Sequence, residues 1–238
     1  MAGVIALSIV IPVFNEQENL PPLTAELVSV LESVKKQYEI IFVDDGSTDN
    51  SQKTLQSIKK KYTNIRVFHF RKNCGQTAAF DAGFKAAAGD IIITMDGDLQ
   101  NDPRDIPGML KQCDTYDLVC GCRAVRHDTL VRRLSSRIAN RFRNAFTHDG
   151  ITDIGCSLKL FKRNYVKKLK LYEGMHRFFP VLIQMEGGRI LEVEVNHRPR
   201  KFGRAKYSVR NRLLRTLTDL FGVCWMKSRM LTYEIEER

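Results

Sequence analysis

Asp96 and Asp98 stand two residues apart in Met95-Asp96-Gly97-Asp98-Leu99-Gln100, directly after the apolar run Ile91–Met95. That run, preceded by Gly89-Asp90, reads as a buried parallel strand. A strand ending in Asp-Gly-Asp delivers two carboxylates to the carboxyl edge of a sheet, where open α/β folds bind ligands. Carboxylates that close repel each other unless a cation lies near them. Mg²⁺ or Mn²⁺, held by few protein oxygens and completed by a diphosphate, answers that need. On this motif alone, an Asp-Gly turn with both carboxylates solvated fits equally well.

Two other strand ends carry similar chemistry. Pro12-Val13-Phe14-Asn15-Glu16 follows the first apolar run, at the place where a dinucleotide-binding enzyme has its glycine-rich turn. Its bulky Phe14 and missing Gly-x-Gly-x-x-Gly argue against that class. The second strand ends in Asp44-Asp45-Gly46-Ser47-Thr48-Asp49. Its carboxylates could accept hydrogen bonds from a base or a ribose, or could form a turn in which Ser47 or Thr48 caps the next helix. Glu16, Asp44, Asp45, Asp96 and Asp98 thus converge on one edge of one sheet.

The elements that must position them alternate through the first 120 residues. Strands are expected at Val4–Ile11, Glu39–Val43, Arg66–Phe70, Ile91–Met95 and Leu118–Cys120. Helices are expected at Glu16–Lys36, Thr48–Lys61, Gly75–Ala88 and Pro103–Gln112. This order predicts a mostly parallel α/β sheet with helices on both faces. The second half is less regular, with a basic amphipathic helix at Leu130–Phe146 and strands at Ser157–Phe161 and Arg189–His197. From Ser208 onward Val209, Leu213, Leu217, Leu220, Phe221 and Cys224 recur at helical spacing, with Arg210, Arg212 and Arg215 on the other side. No linker or repeat divides the 238 residues, so a single domain with a basic C-terminal subregion is expected.

Charge is divided unevenly. Residues 1–120 hold 12 Lys/Arg against 16 Asp/Glu, whereas residues 121–238 hold 26 against 11. The second half should therefore meet something anionic: nucleic acid, phosphate or a membrane surface. No signal peptide is recognisable, and Leu217–Met226 is too short to span a bilayer and contains Asp219. The six cysteines show no zinc spacing and read as reduced, mostly buried thiols of a reducing compartment.

The segments PVFNEQENL, VDDGSTDNS, AGDIIITMDGDLQNDP and RPRKFGRAKYS together resemble the family 2 glycosyltransferases. They are closest in kind to the polyprenyl-phosphate branch containing dolichol-phosphate mannose synthase and the bactoprenol glucosyltransferases. The resemblance runs from about Leu7 to Leu220. It implies a GT-A type fold and inverting transfer of a hexose from a nucleotide-diphosphate sugar of the GDP-mannose or UDP-glucose type to a polyprenyl (dolichyl or undecaprenyl) phosphate. Pro12, Phe14, Glu16, Asp44 and Asp45 match the nucleotide-contacting motifs. Asp96, Gly97 and Asp98 match the metal and diphosphate motif, with Gln100 joining the metal site. Arg123 matches an arginine that closes the fourth motif. Arg132 and Ser136 sit where relatives hold the acceptor phosphate, and Arg200 and Lys206 match a basic pair on a loop covering the site. Arg204-Ala205-Lys206 stands where Glu-Ser-Lys is commoner. Residues 1–122 would bind nucleotide sugar and metal, and residues 123–238 would form the acceptor and membrane-proximal subregion.

The residue chemistry agrees. A lipid phosphate is nearly dianionic at neutral pH, its second pKa being about 6, so it can attack without a strong base. Catalysis then reduces to positioning and charge neutralisation, to which arginine forks are suited. Asp153 is the nominee if a base is needed; its alternative is a carboxylate that orients arginines. His176, in Gly174-Met175-His176-Arg177-Phe178-Phe179-Pro180, would contact sugar or acceptor, or serve structure alone. A cytoplasmic enzyme peripheral at the membrane follows, with a membrane-anchoring partner protein as one means of attachment. The other readings are a soluble family 2 enzyme acting on saccharide or protein, and a nucleic-acid binder. The last is disfavoured because no RNA- or DNA-binding motif appears and the acidic edge would repel phosphate.

Overall fold

The computed structural model describes residues 5–123, 141, 143–202, 209–231, 233 and 236, with only the main chain of 209–216. The first half follows the expected alternation: β1 (Leu7–Val13), α1 (Leu20–Val34), β2 (Tyr38–Asp44), α2 (Ser51–Lys61), β3 (Ile65–His69), α3 (Gln76–Ala86) and β4 (Ile91–Thr94). A 3₁₀ turn at Pro103–Asp105 leads into α4 (Ile106–Leu110), and β5 (Leu118–Arg123) follows. After it come β6 (Lys159–Lys162), α5 (Arg163–Val166), α6 (Phe179–Met185), β7 (Ile190–Val195) and α7 (Val209–Ser228).

One seven-stranded sheet runs in the order β3-β2-β1-β4-β6-β5-β7. β1 pairs in parallel with β2 and β4, and β2 with β3. β6 is the exception, lying antiparallel between β4 and β5. The sheet is therefore mostly parallel but mixed, with β7 parallel to β5 at the far edge. Nearly every residue of β1 and β2 is buried, as strands covered on both faces must be.

α1 begins at Leu20 rather than at Glu16. Asn15 takes a left-handed φ of 53°, and the Glu16 carbonyl accepts the Asn19 and Leu20 N–H groups, so the chain turns before Pro21 and Pro22 open the helix. Leu20, Leu23, Leu27 and Leu31 then meet Leu7, Ile9 and Ile11 on one face of the sheet. On the other face α3 lies against β1 so closely that a Cβ on Gly83 would fall inside the Val10 side chain. Phe80, Phe84, Phe161 and Phe179 form an aromatic cluster there, with Leu220 and Val223 of α7 packed on the same core.

One expectation for the second half needs revision. The apolar stripe of the last helix is split: Leu220 and Val223 are buried, whereas Phe221 and Trp225 are 60% and 64% exposed. Leu220 and Phe221 are adjacent on a helix and so point about 100° apart. Most of the helix expected at Leu130–Phe146 lies outside the described residues, although 143–147 are helical. Three of the six free cysteines, Cys113, Cys120 and Cys156, are buried, and Cys74 is exposed. Burial pushes the Cys113 thiol up to about 11 and that of Cys120 to about 12.

Candidate active site

The carboxyl ends of β1, β2 and β4 lie side by side, in the register Val13↔Asp44 and Val10↔Thr94. The loops leaving them are stitched together. Asn15 donates its N–H to Ser47 Oγ at 2.9 Å and accepts Thr48 N–H on its side-chain oxygen at 2.8 Å. The Glu16 N–H donates to Ser51 Oγ at 2.8 Å. Glu16, buried, accepts from Asn19 Nδ2 at 2.5 Å. Gly97 lies against the Pro12 carbonyl, where a Cβ would come within 3.4 Å, and Phe14 is half-buried just past the strand end.

Asp44 and Asp45 face inward rather than outward. Asp44 is fully buried, accepting Ser47 N–H at 3.1 Å and lying 2.7 Å from His69 Nδ1. Asp45 accepts the N–H groups of Cys74 and Gly75 at 2.6 and 2.9 Å and Asn73 Nδ2 at 3.0 Å. Burial raises its carboxyl pKa despite those bonds, and Asp44's charge adds to the rise. Gly46, at φ 69°, turns the chain where a Cβ would strike the Lys72 main chain at 2.5 Å.

Asp96 is half-buried at the end of β4. Its N–H points to Ser157 Oγ at 3.2 Å and Asn101 Oδ1 at 3.4 Å, and its Oδ1 accepts Gln76 Nε2 at 2.8 Å. Burial first and the Asp98 charge second push its carboxyl up to about 6, while Ser157, Lys159 and Arg123 draw it down. Asp98 accepts the Gln100 N–H at 3.2 Å and Arg200 Nη2 at 2.6 Å. The other Arg200 nitrogen, Nη1, is 3.9 Å from Glu16 Oε1. One guanidinium therefore spans the β1 and β4 loops. Leu99 takes a left-handed φ of 64°, and the Gln100 side chain turns to the Arg198 carbonyl at 3.4 Å.

Arg123, the last residue of β5, grips Asp153 with Nε to Oδ2 at 2.7 Å and Nη2 to Oδ1 at 2.8 Å. Asp153 is 2% exposed, and its own N–H donates to Glu192 at 2.8 Å. A carboxylate so engaged suits the orienting of an arginine better than the removal of a proton. Lys159, also buried, donates to the Ile154 and Cys156 carbonyls and so holds the loop that carries Asp153 and Ser157. His176 Nδ1 lies 2.6 Å from Thr77 Oγ1. Arg132, Ser136 and Lys206 lie outside the described residues.

Glu16, Asp96, Asp98 and Arg200 are thus brought together, with Arg123 close enough to act on Asp96. Gln76, Ser157 and Asn101 escaped the sequence reading. The signal for Gln76 was available, since β3 must end on the same edge and its loop must arrive beside the others. As a donor set, two crowded carboxylates, one of which ionises reluctantly, fit a hard divalent cation that brings further oxygens with its ligand.

An open α/β sheet with acidic loops gathered at its carboxyl edge is the frame of a GT-A type glycosyltransferase. Its shape matches glucosyl-3-phosphoglycerate synthase from Mycobacterium tuberculosis in complex with Mn²⁺, UDP and phosphoglyceric acid, with a TM-score of 0.70 at 15% identity, covering 96% of this chain and 80% of the other. The same enzyme in complex with Mg²⁺ and UDP gives 0.69 at 16% identity, over 96% and 81%. At those identities the likeness speaks for the fold. The chain belongs to glycosyl transferase family 2, whose sequence model matches residues 8–170. Among curated relatives it is 38% identical over 223 residues to the dodecaprenyl-phosphate galacturonate synthase of Rhizobium johnstonii, covering 91% of this chain and 66% of that protein's length.

Proposed function

We propose that this glycosyltransferase moves a sugar from a nucleotide-diphosphate donor to a polyprenyl phosphate, with inversion at the anomeric carbon. The observation that carries the reading is the carboxylate pair Asp96/Asp98 at the sheet edge, with Asp98 linked through Arg200 to Glu16. The relative named as a dodecaprenyl-phosphate galacturonate synthase supports the lipid acceptor. Glucose and mannose are the sugars expected from the motifs, and a uronic acid joins them through that relative's name.

In this reading a phosphate oxygen of the lipid attacks the anomeric carbon as the bond to the nucleoside diphosphate breaks. No proton need leave a dianionic nucleophile, so no general base is required. Asp153 then serves by holding Arg123 in a bidentate fork, which turns the guanidinium toward the site. Arg123, Arg132, Ser136, Arg200 and Lys206 supply the acceptor phosphate's contacts. Pro12, Phe14, Glu16, Asp44, Asp45 and Gly97 shape the nucleotide side, where the buried Asp44 acts through the loop it folds. Asp96 and Asp98, with Gln100, would hold Mg²⁺ or Mn²⁺, which when bound neutralises charge on the departing diphosphate.

Among the described residues no helix is long and apolar enough to cross a membrane. A peripheral surface or an anchoring partner would let the enzyme collect a prenyl chain from a bilayer. The deciding experiment is a panel of GDP-mannose, UDP-glucose and UDP-galacturonate with a short polyprenyl phosphate, each with and without Mn²⁺ or Mg²⁺. Lipid-linked product from one donor, dependent on metal, is expected. Product formed only on saccharide or protein acceptors would overturn the lipid assignment.

A further inference from the structure

The loop from β3 into α3 has no part in the mechanism above, yet it reaches the centre of the site. Asp45 holds its start, binding the N–H groups of Cys74 and Gly75 and the side chain of Asn73. Gly75, at φ 91°, swings the chain so that Gln76 opens α3 beside Asp96. Gln76 Nε2 then donates to Asp96 Oδ1 at 2.8 Å. Thr77, the next residue, is fixed from another direction, with Oγ1 accepting the Gly174 N–H at 3.1 Å and meeting His176 Nδ1 at 2.6 Å. Gln76 is therefore anchored on both sides.

Asp96 has its main-chain N–H held by Ser157 and Asn101 and its Oδ1 held by Gln76. The Gln76 bond holds Oδ1 and so limits rotation of the carboxylate about its Cβ–Cγ bond. The chemistry of the donor matters. An arginine or lysine there would neutralise the charge a cation needs, as Arg200 does at Asp98. A primary amide orients the carboxylate and leaves its charge intact. Partners of this kind tune metal affinity by about 10- to 100-fold where they have been removed from metal sites.

We propose that Gln76 is a positioning residue that orients the Asp96 carboxylate for the metal and diphosphate. The assignment rests on the reading of Asp96 and Asp98 as the metal pair. The test is titration of the whole protein with Mn²⁺ in the presence of GDP or UDP, which brings the diphosphate oxygens but no sugar, followed by the electron paramagnetic resonance signal of the free ion against a protein-free control. Gln76→Met keeps the bulk and removes the donor, so its Mn²⁺ dissociation constant should rise about tenfold or more. Gln76→Ala should show the same loss, so either folded variant suffices. Asp96→Asn is run beside them. A Gln76→Met constant within twofold of wild type, next to a weakened Asp96→Asn, overturns the assignment alone. Absence of Mn²⁺ binding by the wild type, or unchanged binding by Asp96→Asn, overturns the metal reading and the assignment with it.

Discussion

Asp98 and Asp102 are four residues apart and are held by different arginines to different ends. Arg200 meets Asp98 at the mouth of the site, where a metal would compete for the same carboxylate. Asp98→Asn keeps the shape of the side chain but loses the charge and one of its two acceptor oxygens. It should leave circular dichroism and melting unchanged and lower turnover by about a hundredfold or more, as loss of a preorganised charge contact does. A variant working at near-normal rate would reject the metal role. Asp102 instead ties Arg104 and Arg198 into the fold, with Arg198 also reaching Glu26 at 2.6 Å. Burial would raise the Asp102 carboxyl; the Arg104 and Arg198 bonds outweigh that and hold it at about 2. An unfolded Asp titrates near 3.9, so this stabilisation is complete above about pH 4 and is lost as pH falls toward 2. Urea midpoints should separate Asp102→Asn from wild type at pH 7 and converge as the pH approaches 2. A separation independent of pH would reject the account.

At the scale of the element, period and punctuation made most of the first half legible. Buried runs ending in Asn-Glu, Asp-Asp-Gly and Asp-Gly-Asp placed three loops on one edge, because parallel strands joined by helices all deliver their ends to the same side. Two features were not legible. β6 carries a short apolar pattern that fits several slots in a sheet, and which slot it takes depends on tertiary pairing alone. Helical spacing in α7 marked apolar positions without saying which face meets the core. The core took Leu220 and Val223, which leaves Phe221 and Trp225, one turn apart, facing outward with Lys227 and Arg229 nearby in sequence. Aromatic side chains beside basic ones suit the headgroup region, where each basic residue contributes about 1 kcal/mol near an anionic surface. The protein should sediment with anionic vesicles at low salt, less so at high salt, and Phe221→Glu with Trp225→Glu should abolish the binding. Sedimentation unaffected by the double variant would reject α7 as the contact.

Over the whole molecule, the position of β6 has a consequence for how the chain is made. β5 leaves the ribosome before β6, yet it joins the sheet only through β6 and β7, since β6 lies between it and β4. The growing chain therefore completes β1 to β4 while β4 still shows an open edge, and β5 must wait for residues 159–162 before it has a neighbour. At roughly 5–20 residues per second that wait lasts seconds, long compared with hairpin or helix formation. An unpaired edge of Ile91-Ile92-Ile93 during that time invites pairing with another chain. A fragment comprising residues 1–123 carries both liabilities permanently. It should associate and bind hydrophobic dye, whereas the 238-residue chain stays dispersed. A monomeric fragment that unfolds cooperatively would show that the first four strands close a core without their later neighbour.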